Sequence, residues 1–310
     1  MSVPVSVVVP CRNEGPNLPL LLERLRACLV DEDYEVLVVD DGSDDDSLSV
    51  LRREHAADPR IRYVSLSRGF GKESAIVAGL AESRGDVVVL MDGDLQHPPE
   101  TVPLLLSTLR RTGCDQVVGV RDRSGETAVR RSASRLYHSI ASRNTGVALR
   151  TGHGDFRAVT RRVVDAVLSM TEVNRFNRGL FAWVGFDIRE IPYQDAARLH
   201  GASRWSISGL LGYGLDGLFS FNERPLRIMV HLGWWAVLVF LLYVLYIIIS
   251  VAFFGIETPG YVTLIASIFF FGGLQLLSIG LLGEYLGRIY LEVKERPAYV
   301  VLERSEDEAR

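Results

Sequence analysis

Two stretches without a charged side chain dominate what this chain can fold into. From Leu232 to Ile256 no Asp, Glu, Lys or Arg occurs for 25 positions, and from Thr258 to Gly283 none occurs for another 26. Each exceeds the roughly 20 residues that a helix needs to cross the hydrocarbon core of a bilayer. The alternative is a helical hairpin buried in a soluble protein, which would need a very large core to hide two such lengths in succession. A short connection around Glu257, Pro259 and Gly260 predicts an antiparallel pair of spans over about 232–256 and 260–283. Arg224, Arg227 and His231 precede the first run, Arg288, Lys294 and Arg296 follow the second, and the turn carries no basic residue. The positive-inside rule then puts both ends in the cytoplasm. Trp234 and Trp235 fall where an interfacial anchor would sit, and the Gly283/Gly287 spacing gives weak support for close helix contact.

The rest of the chain is of a different kind. With 34 Lys and Arg against 38 Asp and Glu, it lacks the basic excess of a nucleic-acid binder. Cys11, Cys28 and Cys114 are widely spaced and odd in number, which fits a reducing compartment better than a disulfide framework and offers no metal-type spacing. Met1 to Pro10 has no basic n-region and reads as a strand rather than a signal peptide.

Strand candidates at 5–10, 35–39, 61–64, 87–91 and 116–120 alternate with helix candidates at 18–29, 47–55, 74–83 and 99–111. That alternation predicts an α/β domain with a mostly parallel sheet, whose ligands sit beyond the carboxyl ends of the strands. Two acidic clusters fall at strand ends: Asp40–Asp41–Gly42–Ser43, and Asp92–Gly93–Asp94. An Asp-x-Asp pair in an extended loop can set two carboxylates on one hard cation, Mg²⁺ or Mn²⁺, which shares its other positions with diphosphate oxygens. Gln96 offers a further oxygen. The plainer reading is a solvated acidic turn; the buried strand leading straight into the pair favours the metal. Asp41 is suited to a ribose hydroxyl or base N–H, and Asp44–Asp45–Asp46 to a helix start. Arg68, Lys72 and Arg121 are candidate diphosphate contacts, each otherwise an ordinary surface cation. Neither a Gly-x-Gly-x-x-Gly fingerprint nor a Walker-type Gly-Lys-Ser/Thr is present, against a dinucleotide redox enzyme or an ATPase.

Between 129 and 140, Val129, Ala133, Leu136, Tyr137 and Ile140 recur at helical spacing among Arg130, Arg131 and Arg135. Such a helix suits an anionic leaflet, or alternatively packs on the sheet with its arginines solvated. A second apolar helical face is predicted over 207–221. Asp155, Glu172 and the arginines 157, 175, 178, 198 and 204 lie between the two helices. Guanidinium groups grip phosphate through paired donors, so arginines beside a membrane suit a phosphorylated lipid. Arg131, Arg157, Arg175, Arg178 and Arg204 form the candidate acceptor set.

A series of segments closely resembles family 2 glycosyltransferases, in particular the branch acting on polyprenyl phosphate. They are Val-Val-Pro-Cys-Arg-Asn-Glu (8–14), Val-Asp-Asp-Gly-Ser (39–43), Arg-Gly-Phe-Gly-Lys-Glu (68–73) and Met-Asp-Gly-Asp-Leu-Gln-His-Pro-Pro-Glu (91–100). Gly-Val-Arg (119–121), Gly-Asp-Phe-Arg (154–157), Asn-Arg-Phe-Asn-Arg-Gly (174–179), Gly-Ala-Ser-Arg-Trp (201–205) and Gly-Glu-Tyr-Leu-Gly-Arg (283–288) follow in order. The resemblance implies a GT-A-like nucleotide-diphospho-sugar transferase domain with amphipathic interface helices and a C-terminal two-helix transmembrane hairpin. It divides the chain into a nucleotide-sugar core (1–128), an acceptor-binding part (129–230), the spans (231–290) and a cytoplasmic tail (291–310).

It further implies that Pro10, Asn13, Glu14 and Asp41 line the nucleotide pocket, with Lys72, Asp92 and Arg121 also on the donor side. Asp92, Asp94 and Gln96 match the family's metal positions. Asp155 matches an acidic position near the reacting groups, with Glu172 a lesser rival, and Arg121 and Arg204 would hold phosphate. Gly93 stands where alanine is usual and Arg204 where lysine is common. The expected reaction is metal-dependent, inverting transfer of a sugar from a nucleotide-sugar, UDP-glucose first, to undecaprenyl or another polyprenyl phosphate at the bacterial inner membrane. GDP-mannose or a UDP-modified arabinose are alternative donors, and a non-catalytic nucleotide-sugar-binding scaffold is the alternative of another class. A homo-oligomer, in the family often a tetramer, is expected. A phosphate monoester is already largely ionised near neutral pH, so Asp155 is expected to position groups first and to act as a base only second.

Overall fold

The computed structural model describes residues 4–121, 153–172, 175–194, 224–254 and 260–306. The predicted helices over 129–140 and 207–221, Arg131, Arg198 and Arg204, and the turn at Glu257 and Pro259 lie outside the described residues. Two compact units emerge, one of residues 1–217 with 297–310 and one of 218–296.

The first unit is an α/β domain. Its strands are β1 (Val5–Cys11), β2 (Tyr34–Asp40), β3 (Ile61–Leu66), β4 (Val87–Leu90), β5 (Gln116–Arg121), β6 (His153–Thr160), β7 (Ile188–Tyr193) and β8 (Val301–Arg304). They form one sheet in the order β7-β5-β6-β4-β1-β2-β3-β8. The pairs β1–β2, β1–β4, β2–β3 and β5–β7 are parallel, whereas β6 runs antiparallel to both its neighbours and β8 antiparallel to β3. The carboxyl ends of β1, β2, β3, β4 and β5 therefore share one edge.

The helices are α1 (Leu18–Cys28), α2 (Ser47–Ala57), α3 (Lys72–Glu82), α4 (Val102–Thr112, entered by a 3-10 turn at Pro99–Thr101), α5 (Arg161–Leu168) and α6 (Asn177–Trp183). Because neighbouring strand residues point to opposite faces, Val7, Val9 and Val89 meet Leu21, Leu25, Leu105 and Leu109 on one face. Val8, Val88 and Leu90 meet Ile76, Leu80, Val163 and Val167 on the other. Strands buried on both faces read as unbroken Val/Leu runs, which is why the sequence showed them. Gly79 lets α3 lie close on the sheet: a Cβ there would stand 2.2 Å from Val8 Cγ1.

Local structure differs from expectation at the start of α3 and in the number of strands. Helix α3 starts at Lys72 rather than 74, since Gly71 takes a φ of +99° and ends the preceding loop there. As expected, the Asp44–Asp45–Asp46 run leads into α2, where Asp45 accepts from the Ser47 N–H at 3.0 Å and the Gly15 N–H at 3.2 Å. Strands β6, β7 and β8 add to the five expected; β8 closes the β3 edge, and Glu303 accepts bonds from Tyr63 Oη and both forks of Arg52.

The second unit holds α7 (Arg224–Phe254) and α8 (Tyr261–Val293). Residues 267–293 are long and apolar enough to cross a membrane, and none of that stretch is buried by protein. Phe269, Leu276 and Leu286 are 77%, 72% and 64% exposed, which is what a lipid-covered surface requires and a soluble core helix does not show. The two helices meet through Phe240 and Phe271, edge to face at 5.7 Å.

Candidate active site

The site is built from loops at the shared strand edge. After β2, Asp40 turns inward: its carboxylate accepts from both the Ser43 hydroxyl and N–H and, at 3.0 Å, from Ser65 Oγ. Asp41 reaches across to the loop after β3, where its oxygens accept from the Phe70 N–H at 2.6 Å and the Gly71 N–H at 2.9 Å. Burial outweighs these two donors and raises the Asp41 carboxyl above its ordinary value. Gly42, at φ +61°, lets the two loops touch, since a Cβ would stand 2.4 Å from the Arg68 backbone. The 39–43 and 68–73 segments are thus one structural piece, and Asp41 fixes where α3 begins. Asn13, at φ +56°, ties in the β1 loop by donating its N–H to Ser43 Oγ (2.8 Å) and accepting from the Asp44 N–H (2.8 Å). The Glu14 N–H donates to Ser47 Oγ at 3.1 Å.

Lys72, first residue of α3, is set by this arrangement at the centre of the edge. Its Nζ lies 2.6 Å from Asp92 Oδ1 and 2.7 Å from Asp155 Oδ2. Sheet register explains the meeting: Leu90 pairs with Arg157 across β4 and β6, and continuing that register sets Asp155 opposite Asp92. Arg178 of α6 grips Asp155 with two bonds, Nε at 2.9 Å and Nη2 at 3.0 Å. Burial would push the Asp155 carboxyl up, but Lys72 and Arg178 outweigh it and hold the group well below the usual carboxylate range. Likewise burial would lower the Lys72 ammonium, and Asp155 and Asp92 raise it instead. Asp94 is buried and accepts the Gln96 N–H at 3.1 Å, with Leu95 at φ +61° completing the turn.

An aromatic floor supports the Asp92 turn. His97 Nδ1 accepts the Asp92 N–H at 3.0 Å, which leaves its ring proton on Nε2, and burial lowers its pKa so that it stays neutral. The ring stacks on Phe156 (4.8 Å, 10° between planes) and meets Tyr193 edge-on at 5.8 Å. Gly119 makes room for them, a Cβ there lying 2.8 Å from Phe156 Cδ1.

Residues 6–168, more than half of the chain, match glycosyl transferase family 2, and residues 224–289 match the GtrB C-terminal hairpin. The chain belongs to glycosyl transferase family 2. It is 41% identical over 301 residues to the protein CsbB of Bacillus subtilis (strain 168), covering 96% of this chain and 91% of that one. It is 36% identical over 300 residues to the bactoprenol glucosyl transferase of Shigella phage SfII, covering 96% and 97%. A prophage bactoprenol glucosyl transferase homolog of Escherichia coli (strain K12) is 35% identical over 300 residues, covering 96% and 98%. This chain is a membrane-associated glycosyltransferase related to those bactoprenol-linked sugar transferases.

Within this family 2 enzyme, the structure brings Lys72, Asp92, Asp155 and Arg178 together and sets Asn13, Glu14, Asp41 and Asp94 on loops at the same edge. Arg121, at the carboxyl end of β5, is exposed beside them. Two arginines of the acceptor set are engaged in the fold. Arg175 donates to the Met170 carbonyl, to the Val167 carbonyl at 2.9 Å and to Asn177 Oδ1 at 3.3 Å, so it closes the end of α5. Arg157 is 3% exposed, lies over the Phe181 ring at 4.4 Å and donates to the Gly154 carbonyl at 2.7 Å, burial lowering its pKa to about 10. Glu172 is half-buried and acts electrostatically on Arg175. His97 and Glu73 were not singled out from sequence. Glu73 accepts the Asn177 N–H at 2.8 Å and its carbonyl accepts Asn177 Nδ2 at 3.0 Å, which seats α6, and with it Arg178, against α3.

Proposed function

We propose that this enzyme transfers a sugar, glucose from UDP-glucose in the first instance, to the phosphate of undecaprenyl or a related polyprenyl phosphate, with inversion at the anomeric carbon. The observation that carries the reading is the charged hub at the strand edge, where Lys72 joins the Asp92 turn to an Asp155 already gripped by Arg178. Such a hub can hold two phosphorylated reactants against each other. The relatives named as bactoprenol glucosyl transferases support the lipid acceptor and glucose, while GDP-mannose and UDP-modified arabinose are the alternative donors.

Asp92 and Asp94 supply hard oxygen donors suited to Mg²⁺ or Mn²⁺, with the Gln96 side chain as a third. Among the described residues no three acidic, His or Cys groups cluster as a full protein cage. That donor set fits an ion that keeps waters and phosphate oxygens, as Mg²⁺ does with one or two carboxylates. When bound, it neutralises diphosphate charge and so improves the leaving group. Pro10, Asn13, Glu14 and Asp41 shape the nucleotide side. Arg121, Arg178, Arg131 and Arg204 are assigned to phosphate, where guanidinium groups offset repulsion between two anions. Asp155, ionised and acting as an acceptor for two cations, orients Lys72 and Arg178 rather than taking a proton; Glu172, which acts electrostatically on Arg175, is the weaker candidate for either role.

The exposed apolar surface of α8 and the hairpin match support two spans, with the catalytic part and both termini on the cytoplasmic side of the bacterial inner membrane. The proposed division is 1–128 for the donor, 129–230 for the acceptor, 231–290 for the spans and 291–310 for the tail, in a homo-oligomer up to a tetramer. Asp94→Asn tests the site: transfer is expected to fall at least 100-fold with the thermal midpoint retained, and equal transfer would overturn the metal assignment.

A further inference from the structure

The Lys72 ammonium stands where a cation belongs. It lies 2.6 Å from Asp92 Oδ1, within the Asp-x-Asp turn, and is held from the other side by Asp155 at 2.7 Å. We propose that Lys72 is a resident counter-ion that guards Asp92 in the donor-free enzyme, so that the divalent ion enters together with the nucleotide diphosphate and not before it. This rests on the reading of Asp92 and Asp94 as metal ligands.

Charge counting supports it. Lys72 and Arg178 carry two positive charges against three negative ones on Asp92, Asp94 and Asp155, so the two cations leave a single negative charge on the five groups and neutralise Asp92 itself. A bare divalent ion arriving at Asp92 meets a neutralised carboxylate and a like charge within contact distance. A divalent ion arriving with a diphosphate brings compensating negative charge, and the ammonium gains a phosphate oxygen as a new partner. Lys72 has the means to make that exchange. Its side chain keeps 40% of its surface exposed, and it is the first residue of α3, beside Gly71, where φ is +99°. Asp155 remains ionised and neutralised by Arg178 when Lys72 turns away, so the hub does not collapse on release. The loop that carries Lys72 is itself anchored by Asp41 through the Phe70 and Gly71 amides. Its movement is therefore that of a side chain on a fixed base.

The test is Mn²⁺ binding by the full-length enzyme in detergent, read from the loss of the free-Mn²⁺ paramagnetic resonance signal, without nucleotide and with UDP or GDP in separate arms. Wild type is expected to bind Mn²⁺ weakly alone and at least ten-fold more tightly with one of the two nucleotides. Lys72→Met is expected to bind Mn²⁺ alone at least ten-fold more tightly than wild type, and Lys72→Arg, which keeps the charge, to stay near wild type. Nucleotide-free affinity in Lys72→Met equal to or below wild type would overturn the guarding role. So would tightening in Lys72→Arg as large as in Lys72→Met. Adding Asp94→Asn to Lys72→Met separates the two claims. Loss of the tight binding upholds the metal reading, whereas unchanged Mn²⁺ binding would overturn that reading and the guarding role with it. A melting curve for each variant confirms the folded fraction used in the titration.

Discussion

Asp155→Asn tests how the hub works. Asp155 is 8% exposed and accepts three contacts, two from Arg178 at 2.9 and 3.0 Å and one from Lys72 at 2.7 Å. Removing one member of a fully buried ion pair costs about 3–5 kcal/mol, because its partner is left charged and unpaired. Here the partners have escape routes: Arg178 and Lys72 are 38% and 40% exposed, and Lys72 keeps Asp92. The penalty should therefore shrink to about 1–2 kcal/mol, toward the range of exposed pairs. For a domain of this size that is a fall of roughly 2–5 °C in melting midpoint. Transfer should fall far more, about 10²–10³-fold, as when one preorganised electrostatic contact is removed. A general base would give a loss of similar size, so the shape of the pH profile decides. Two cations hold the Asp155 carboxyl well below its ordinary range, so it contributes no limb between pH 5.5 and 8. The lipid phosphate, whose second ionisation lies at about 6, gives the same limb in both enzymes. Rates of sugar transfer to undecaprenyl phosphate across this pH range provide the assay. An acid limb present in wild type and lost in Asp155→Asn would refute the positioning role, as would transfer within two-fold of wild type.

Two further outcomes follow from the fold. At the edge of the sheet opposite the site, Glu35 accepts Ser6 Oγ at 2.6 Å, Arg62 Nη1 at 2.7 Å and the Arg84 N–H at 2.7 Å, with Arg62 9% exposed. Arg62 keeps Glu306 at 3.1 Å and the Glu82 carbonyl, so Glu35→Ala should destabilise the domain by about 1–2 kcal/mol, below the cost of a fully orphaned buried charge, while transfer per folded molecule stays unchanged; a melting midpoint equal to wild type would contradict this. The acid side should fall in two stages, because His97 is lowered by burial, Asp58 is lowered to about 2 chiefly by Arg60, and Glu35 and Asp155 are also lowered. Each of these groups takes up protons more readily when unfolded. Stability is therefore lost below about pH 6.5 as unfolded His97 protonates, then more steeply below about pH 4 as the carboxylates do. Melting midpoints measured from pH 7 to pH 3 check the sign, and a rise between pH 7 and 5 would contradict it.

Strands β1 to β5 were legible because strands buried on both faces leave uninterrupted Val and Leu runs, and the acidic turns because they end those runs; β6, β7 and β8 were not. Less legible was anything that depends on register between distant segments. Asp155 and Asp92 meet because β6 lies antiparallel against β4, and no spacing along the chain announces that. Asp41 has the residue type of a ligand contact, yet both its oxygens hold amides 29 and 30 residues away. Arg175 and Arg157 look like phosphate contacts from sequence, since an arginine that closes a helix end or covers a phenylalanine carries no local mark. Strand β8 did leave a signal, the Val300–Val301–Leu302 run after Pro297, but its partner β3 lies more than 230 residues earlier.

The most direct test of the whole account supplies purified enzyme with undecaprenyl phosphate, Mg²⁺ or Mn²⁺, and a panel of UDP- and GDP-sugars, and identifies the lipid product by mass. A single new species is expected, undecaprenyl phosphate plus one hexose, formed from UDP-glucose and lost with Asp94→Asn. A free sugar, a polysaccharide or no lipid-linked product from any donor would contradict it.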